Sequence, residues 1–339
     1  MTHTAVLIPG DGIGPEVSAA VREVLAAAQA PVEFVEHPAG VAALELGYKE
    51  LLPKETLDAI RTHKVALKGP CTTPIGGGFS SINVALRKTL NLFAAVRPVR
   101  NMPGVKTRYD GVDIVIVREN TEGLYSGLEN AITEDVVVSM KVATRPACAR
   151  IVEWAFAYAE TRGRKRVTVL HKANIMKLTD GMFLNEARKV RTSHPSIEYD
   201  EQIIDAALMR LVRDPTAFDV IVCENLYGDL VSDLCAGLVG GLGVAPGANF
   251  GIDAAVFESV HGSAPDIAGK NLANPLALLM SATMMLNHLA ASRGDESCKK
   301  AAVKIKAAYD RALSEGLTTR DLGGPLGTRE FAQAVVAGL

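Results

Sequence analysis

Residues 6–30 read V-L-I-P-G-D-G-I-G-P-E-V-S-A-A-V-R-E-V-L-A-A-A-Q-A. Residues 6–9 predict a short strand, and residues 15–30 predict a helix with proline at its first position. The same alternation continues along the chain. Further strands are predicted at residues 32–36, 65–68, 112–118, 136–142, 167–171 and 220–223, and further helices at 53–62, 81–90, 146–162, 181–192, 206–213, 228–240, 275–291 and 296–313. This order predicts an α/β fold, a sheet with helices on both faces.

The turn between the first strand and the first helix is rich in glycine. Residues 10–16 read G-D-G-I-G-P-E. A dinucleotide-binding G-x-G-x-x-G turn needs glycine where Pro15 stands, so the spacing fails that pattern. We therefore favour a tight structural turn over direct binding of phosphate groups.

Composition and charge limit the class of protein. The chain has 339 residues, 48% of them hydrophobic, and a formal net charge of −2. This length suggests two domains of roughly 150 residues each. No linker rich in proline or glycine divides the chain, so we expect discontinuous domains. The absence of a long basic block argues against a nucleic-acid partner.

The cysteines and the amino terminus bear on the compartment. Five cysteines are scattered without a C-x-x-C pair, which favours a reducing compartment. The first residues lack the basic and apolar regions of a signal peptide. The longest apolar stretch, residues 273–289, is interrupted by polar residues and is too short to span a bilayer. We expect a cytoplasmic protein without a membrane partner.

Residues 81–97 concentrate groups that bind anions. They read S-I-N-V-A-L-R-K-T-L-N-L-F-A-A-V-R. Ser81 stands where a helix N-cap would, and Asn83 and Arg87 share one helix face. Arg97 follows a β-like run and precedes a proline. Two guanidiniums, a hydroxyl and an amide near a helix start favour a small polyanion as ligand.

A pair of aspartates suggests a cation site. Asp229 and Asp233 are four residues apart on a predicted helix, so both carboxylates face the same side. Helix capping is one explanation, since aspartate is favoured in a first turn. Binding of Mg²⁺ or Mn²⁺ is the other, because these ions prefer carboxylate and water ligands. Spacing alone leaves the two about equal.

Other polar residues follow predicted strands or lie in one long loop. Lys172 ends a strand, where ligands bind in open α/β sheets, although a solvated surface lysine is commoner. Arg118 ends another strand, and Tyr125 comes seven residues later, either as a functional group or as a packed side chain. In residues 261–275, Asp266 is placed to accept hydrogen bonds from a ribose, or the segment is an ordinary structured loop.

Taken together, seven segments in order resemble the isocitrate and isopropylmalate dehydrogenases, the decarboxylating β-hydroxyacid dehydrogenases. They are G-D-G-I-G-P-E, S-I-N-V-A-L-R, L-F-A-A-V-R-P, R-E-N-T-E-G-L-Y-S-G, H-K-A-N-I-M-K, N-L-Y-G-D-L-V-S-D and H-G-S-A-P-D-I-A-G. The resemblance covers essentially the whole chain. It implies two discontinuous α/β domains with a cleft between them, not a true Rossmann fold. The large, cofactor-binding domain would comprise residues 1–95 and 242–339, and the small domain residues 96–241 with an arm at 126–145.

The resemblance also implies roles for individual residues. Substrate carboxylates would be held by Ser81, Asn83, Arg87, Arg97 and Arg118, with Ser81 and Asn83 selecting isocitrate over isopropylmalate. Acid–base catalysis would fall to Tyr125 and Lys172. The metal ligands would be Asp205, Asp229 and Asp233. Because Lys172 and Asp205 would come from the neighbouring subunit, a homodimer or a higher homo-oligomer is expected.

The cofactor expected from the resemblance is NAD. Relatives that use NADP carry lysine and tyrosine at the positions of Asp266 and Ile267, whereas a carboxylate repels a 2′-phosphate and accepts from ribose hydroxyls. The other expected cofactor contacts are Ile13, Thr73, His261, Gly262, Ala264 and Asn274.

The activity implied is the NAD-dependent oxidative decarboxylation of isocitrate, a tricarboxylate, to 2-oxoglutarate and CO₂ with Mg²⁺ or Mn²⁺. Homoisocitrate, isopropylmalate or tartrate are alternative substrates within the family. A non-catalytic regulatory subunit of a heteromeric enzyme is an alternative of another class.

Overall fold

A computed structural model describes residues 2–73 and 81–339. The strands in these ranges are β1 (His3–Ile8), β2 (Val32–Glu36), β3 (Val65–Lys68), β4 (Ala94–Arg100), β5 (Asp113–Glu119), β6 (Glu129–Thr133), β7 (Val136–Ser139), β8 (Arg166–His171), β9 (Glu198–Ile203), β10 (Val220–Cys223), β11 (Pro246–Phe250) and β12 (Ala255–Ser259). The helices are α1 (Gly14–Ala27), α2 (Val41–Glu45), α3 (Lys54–His63), α4 (Ile82–Thr89), α5 (Arg145–Thr161), α6 (Thr179–Val190), α7 (Ile204–Arg213), α8 (Asn225–Leu238), α9 (Leu276–Arg293), α10 (Glu296–Ser314) and α11 (Thr328–Ala337).

Ten of these strands form one sheet in the order β2-β1-β3-β12-β11-β4-β5-β10-β8-β9. Neighbouring strands are parallel in both outer parts, whereas β11 is antiparallel to β12 and to β4, and β4 is antiparallel to β5. This order differs from the 3-2-1-4-5-6 order of a Rossmann sheet. The predicted α/β fold, distinct from a Rossmann fold, is therefore confirmed.

Helices cover both faces of the sheet and bury its apolar side chains. On one face α9 packs against β11 and β12, and α5 packs against β5 and β10. The other face is covered by α3 and α4 at one end and by α8 next to β4 and β5. Because successive strand residues point to opposite faces, the buried strands read as continuous apolar runs.

The predicted domain division follows the sheet order. Strands β1, β2, β3, β11 and β12 come from residues 1–95 and 242–339 and form one half of the sheet, while β4, β5, β8, β9 and β10 form the other half; the predicted boundary at residue 95 falls inside β4. The antiparallel pairing of β11 with β4 joins the two halves. The division into domains stays a prediction.

The segment predicted to form an arm contains a hairpin outside the main sheet. Strands β6 and β7 pair only with each other, in antiparallel fashion. All nine of their residues are exposed, including Ile132 and Val137. An apolar hairpin in water is marginal alone, so this surface is suited to contact another chain.

The glycine-rich turn is held by Asp11. The carboxylate of Asp11 accepts backbone hydrogen bonds from Val41 (3.1 Å), Ala42 (2.8 Å) and Thr72 (2.6 Å). Gly12 has a φ of +58°, and a Cβ there would lie 2.1 Å from the Ser263 carbonyl oxygen. The structure therefore supports a tight turn that joins three loops.

Replacing Asp11 by alanine removes the acceptor for three backbone N–H groups. We expect Asp11→Ala to lower the free energy of unfolding by about 1–3 kcal/mol, the range for a buried polar group left unpaired. Urea denaturation followed by circular dichroism measures the change. Asp58→Ala is the control, because the carboxylate of Asp58 is exposed and pairs with Arg61 within α3. Equal effects of both variants would contradict a special role for Asp11.

Two further features concern the whole chain. All five cysteines are free thiols. Within residues 2–73 and 81–339, no helix combines the length and the apolar composition needed to cross a bilayer.

Candidate active site

A polar cavity of about 280 Å³ lies between α4 and α8, where β3, β12 and β5 end. We call it the central cavity. Ten of the predicted site residues line it: Ser81, Asn83, Arg87, Arg97, Arg118, Tyr125, Asp229, Asp233, His261 and Gly262. The fold thus brings together residues that are up to about 180 positions apart in the sequence.

Two of the arginines converge on one buried carboxylate. Glu258 Oε1 accepts from Arg87 Nη2 at 3.2 Å and from Arg97 Nη2 at 3.1 Å, while Oε2 accepts from Lys68 Nζ at 2.9 Å. Asn249 donates a fourth hydrogen bond at 2.8 Å. Burial alone would raise the pKa of Glu258, but the three cations outweigh it and hold that pKa well below its usual range. Because the three cations share one carboxylate, this side of the central cavity carries an excess of positive charge.

On the side of the central cavity that carries Arg87 and Arg97, two buried polar atoms have no hydrogen-bond partner among the described residues. They are Arg97 Nη1, a donor, and Asn83 Oδ1, an acceptor. Since buried polar groups are rarely left unpaired, these two atoms indicate a place for a ligand. Gly247 allows the guanidinium this position, because a Cβ at Gly247 would lie 1.5 Å from Arg97 Nη1.

Ser81 occupies the N-cap position of α4, as the sequence predicts, but its side chain makes no capping hydrogen bond there to the described residues. The backbone N–H of Ile82 instead donates to Thr73 Oγ1 at 3.3 Å. The Ser81 side chain is exposed at the edge of the central cavity. Its hydroxyl is therefore available to a ligand.

The opposite wall carries the two aspartates of α8. Asp229 accepts hydrogen bonds from Arg118 and from the Tyr125 hydroxyl. Arg118 is also held by Asn225 Oδ1, at 3.0 Å from Nε and 2.7 Å from Nη2. Burial in the cavity and the like charge of Asp229 raise the pKa of Asp233. A divalent cation would relieve this repulsion, so the donor set fits Mg²⁺ or Mn²⁺.

Tyr125 is placed as a proton donor. Burial, followed by the hydrogen bond to Asp229, raises the pKa of its hydroxyl, which therefore stays protonated at neutral pH. The guanidinium carbon of Arg118 lies 5.1 Å from the centroid of the tyrosine ring and fixes its orientation.

Lys172 and Asp205 lie apart from the central cavity in the single chain. Lys172 follows β8, Asp205 is in α7, and the two form an ion pair with each other. Neither lines the central cavity, and Asp205 does not join Asp229 and Asp233 in a three-ligand cluster within the described residues. Their contribution to a site stays a prediction that needs a second subunit.

Five of the expected cofactor residues lie in one loop that directly follows β12 and borders the central cavity: His261, Gly262, Ala264, Asp266 and Ile267. His261 Nδ1 lies 3.0 Å from the Gly262 carbonyl oxygen, and its Nε2 is buried without a partner in the described ranges. Ala264 has a φ of +38°, the left-handed conformation. Asp266 is exposed, and Ile267 is half-buried.

The other three expected cofactor residues are already engaged. The backbone N–H of Ile13 donates to the Ser263 carbonyl at 2.9 Å, which joins the glycine-rich turn to the loop after β12. Thr73 Oγ1 accepts from the start of α4. Asn274 donates to Asp321 at 3.0 Å and accepts from the Leu276 backbone at 2.9 Å. These bonds shape the loops around the proposed cofactor site.

The sequence analysis missed three residues of this site: Lys68, Asn225 and Glu258. Lys68 ends the apolar strand β3 and Glu258 lies within the apolar strand β12, and a buried charge in such a run is a signal of an ion pair. Asn225 begins α8 directly after β10, the position from which it reaches Arg118. The pairing of Lys68 with Glu258, 190 residues away in the chain, can be recognised only once β3 and β12 are known to be neighbours in the sheet.

Comparisons with known proteins agree with the geometry. A family model described as isocitrate/isopropylmalate dehydrogenase matches residues 4–335. The chain is 52% identical to the mitochondrial NAD isocitrate dehydrogenase catalytic subunit 5 of Arabidopsis thaliana, over 98% of the chain and 87% of that protein. It is 54% identical to the chloroplastic 3-isopropylmalate dehydrogenase of Solanum tuberosum, over 84% of the chain and 80% of that protein.

The crystal structure of isocitrate dehydrogenase from Methylococcus capsulatus has the same fold, with a TM-score of 0.93, 46% sequence identity and coverage of 99% of both chains. Sequence, fold and family model thus lead to one assignment. The chain belongs to the isocitrate/isopropylmalate dehydrogenase family.

Proposed function

We propose that this chain catalyses the NAD-dependent oxidative decarboxylation of isocitrate to 2-oxoglutarate and CO₂, with Mg²⁺ or Mn²⁺. The observation that carries the proposal is the central cavity, which is lined by Arg87, Arg97 and Arg118 and by the carboxylates of Asp229 and Asp233. A ligand that suits both walls is a polyanion that also binds a cation. Isocitrate, with three carboxylates and a hydroxyl, has this character.

The substrate carboxylates would bind to the polar side chains that line the central cavity. Arg97 Nη1 and the guanidinium of Arg87 would pair with two carboxylates, and Arg118 would hold a third. Ser81 and Asn83 at the start of α4 would hydrogen-bond the distal carboxylate. An isopropyl group cannot satisfy these two polar residues, and their desolvation without a partner disfavours isopropylmalate.

Asp229 and Asp233 would hold the divalent cation, with Asp205 of a second subunit as a further ligand. The cation would lower the pKa of the substrate hydroxyl and stabilise negative charge on that oxygen. The loop after β12 would hold NAD⁺, with Asp266 as the acceptor for the adenosine ribose, and the bound cofactor would supply the hydride acceptor. Both groups supply chemistry that the side chains lack.

The chain's own groups would handle the protons. Lys172 of a second subunit, through a water molecule or its partner Asp205, would take up the C2 hydroxyl proton as the C2–H bond breaks, which gives a β-keto acid. The bond from C3 to its carboxylate then breaks and releases CO₂. Tyr125 would donate its proton to C3, which completes 2-oxoglutarate. The arginines contribute by holding the anion in position.

A second copy of the chain is the partner that this account needs. The exposed apolar residues concentrate on the β6–β7 hairpin, on the segment after β8, and on α7 and α8, and include Leu128, Ile132, Val137, Ile175, Leu178, Met209 and Leu230. Lys172 and Asp205 lie within this surface. A homodimer that buries it would place both residues at the partner's cavity. The compartment remains a prediction, the cytoplasm.

The purified chain, without any other subunit, tests the proposal against a regulatory role. We expect it to convert isocitrate and NAD⁺ to 2-oxoglutarate, CO₂ and NADH in the presence of Mg²⁺. Product analysis by mass spectrometry together with NADH absorbance measures the reaction. If the chain binds isocitrate in calorimetry but yields no 2-oxoglutarate, the regulatory alternative replaces the proposal.

The choice of NAD is tested by exchanging the two residues that face the ribose. We expect Asp266→Lys with Ile267→Tyr to shift the kcat/KM ratio toward NADP⁺ by roughly a hundredfold, because a lysine attracts the 2′-phosphate that Asp266 repels. Steady-state kinetics with both cofactors measures the ratio. The matched control is Ile252→Tyr with Asp253→Lys, an exposed pair outside the central cavity. A ratio unchanged in the first variant would refute this cofactor site.

A further inference from the structure

A second cavity, of about 650 Å³, lies on the opposite face of the sheet from the central cavity. We call it the rear pocket. Its sides are α5 and α9, and its floor is formed by β4 and β11 through Val96, Pro98 and Phe250. Because alternate residues of a strand point to opposite faces, Val96 and Pro98 face the rear pocket while Arg97 between them faces the central cavity.

Aromatic rings form the wall of the rear pocket. Trp154 and Tyr158 of α5 stack with their centroids 5.3 Å apart and their planes 18° apart. Phe250 lies 5.4 Å from Trp154 and 5.6 Å from His288 of α9. Such a surface favours a flat ligand that stacks, since stacked aromatic rings gain more than their buried area alone provides.

Two polar side chains that line the rear pocket, Tyr158 and His288, are neutral and free to bind a ligand. The hydroxyl of Tyr158 and the ring nitrogens of His288 make no hydrogen bond to any described residue. Burial lowers the pKa of His288 and raises that of Tyr158, so both are uncharged at neutral pH. Ligand pockets typically combine apolar walls with a few such polar groups.

One of the two arginines at the rim is free to pair with a ligand. Arg164 is compensated by Asp113 at 2.7 Å and Asp219 at 3.0 Å. Arg162 pairs with no carboxylate of the described chain, and its guanidinium lies 5.9 Å from the Tyr158 ring. One free positive charge next to two aspartates suits a single negative charge and disfavours a polyanion.

We propose that the rear pocket binds a flat aromatic molecule of one or two rings that carries a single negative charge. The rings lie against Trp154 and Tyr158, and the anionic group pairs with Arg162. The ligand contacts β4 from behind Arg97, so it touches the strand that carries a substrate-binding residue of the central cavity.

The single tryptophan of the chain makes this proposal directly measurable. The full-length protein is titrated with 5-dimethylaminonaphthalene-1-sulfonate, a two-ring aromatic monoanion that accepts energy from tryptophan. We expect saturable binding at one site per chain that quenches Trp154. We expect 1-naphthoate to displace the probe, whereas neutral 1-naphthol is much weaker and ATP does not displace it.

The experiment locates the site by competition and by variants. Binding must persist with saturating isocitrate and NAD⁺; displacement by them would put the probe in the central cavity and overturn the proposal. Arg162→Gln should weaken binding roughly tenfold, the loss expected for one charge-assisted pair. Lys165→Gln is the matched control, an exposed cation nearby that does not line the pocket.

A third variant tests the volume itself. Ala157 lines the rear pocket but is exposed, so Ala157→Phe fills the pocket from its rim without burying a large group in the core. Loss of probe binding in this variant supports the assignment. Unchanged binding in Ala157→Phe or in Arg162→Gln, or displacement of the probe by ATP, contradicts it.

Discussion

Mixing a Lys172→Met variant with a Tyr125→Phe variant should restore activity that neither variant has alone. Each substitution removes one proton-transferring group, so each should lower kcat by about 10²- to 10⁴-fold. Lys172 lies outside the chain's own central cavity, whereas Tyr125 lines it. In a mixed dimer, the intact lysine of one chain would therefore meet the intact tyrosine of the other.

The size of the recovery distinguishes shared from unshared sites. With random pairing, half of the dimers are mixed and each has one intact site, which predicts about a quarter of wild-type activity. The variants are co-expressed or refolded together, and NADH formation is measured. A Tyr125→Phe and Asp229→Asn mixture is the control, because both residues belong to one cavity. No recovery in the first mixture would show that Lys172 does not act across subunits.

Glu258→Gln should cause the largest loss of stability among single substitutions at the site. The side chain of Glu258 is the buried acceptor for Lys68, Arg87 and Arg97. Removing its charge leaves three buried cations without their counter-ion, a change that costs about 3–5 kcal/mol of unfolding free energy for a broken buried pair. Chemical denaturation measures the loss. Glu315→Gln, at an exposed pair with Arg311, should behave as wild type.

The same residue predicts a pH dependence. The folded-state pKa of Glu258 lies well below its ordinary value of 4.5, so its stabilisation is fully present above that value and is lost as pH falls through the folded-state pKa. The stability difference between wild type and Glu258→Gln should therefore be constant above about pH 4.5, decrease progressively below that pH, and vanish only below the folded-state pKa. A difference that already disappears near neutral pH would contradict the ion-pair account.

Much of the fold could be predicted because buried parallel strands and amphipathic helices have clear patterns. The predicted strands at residues 32–36, 65–68 and 220–223 coincide with β2, β3 and β10. The missed strand β9 lies at the sheet edge and is polar, and β11 begins Pro-Gly, a turn signal. Both form strands because their neighbours in the sheet supply partners, which local sequence does not reveal.

The residues of the candidate site likewise fall into two groups, those that the sequence could place together and those that it could not. Residues on one short segment, such as Asn83 with Arg87 or Asp229 with Asp233, could be grouped from helical spacing alone. Glu258 could not be grouped with Arg97, because β11 lies between their strands and 160 residues separate them in the chain. The prediction that Lys172 acts across subunits rests only on the family resemblance.

The most direct test of the account compares substrates in the wild-type protein. The ratio kcat/KM is measured with NAD⁺ and Mg²⁺ for isocitrate, homoisocitrate, isopropylmalate and tartrate. Ser81 and Asn83 at the central cavity, with three arginines around it, predict the highest value for isocitrate. Isopropylmalate should be lower by orders of magnitude, since its alkyl group leaves both polar residues unpaired. A higher kcat/KM for any of the other three acids would contradict the assignment of isocitrate as substrate.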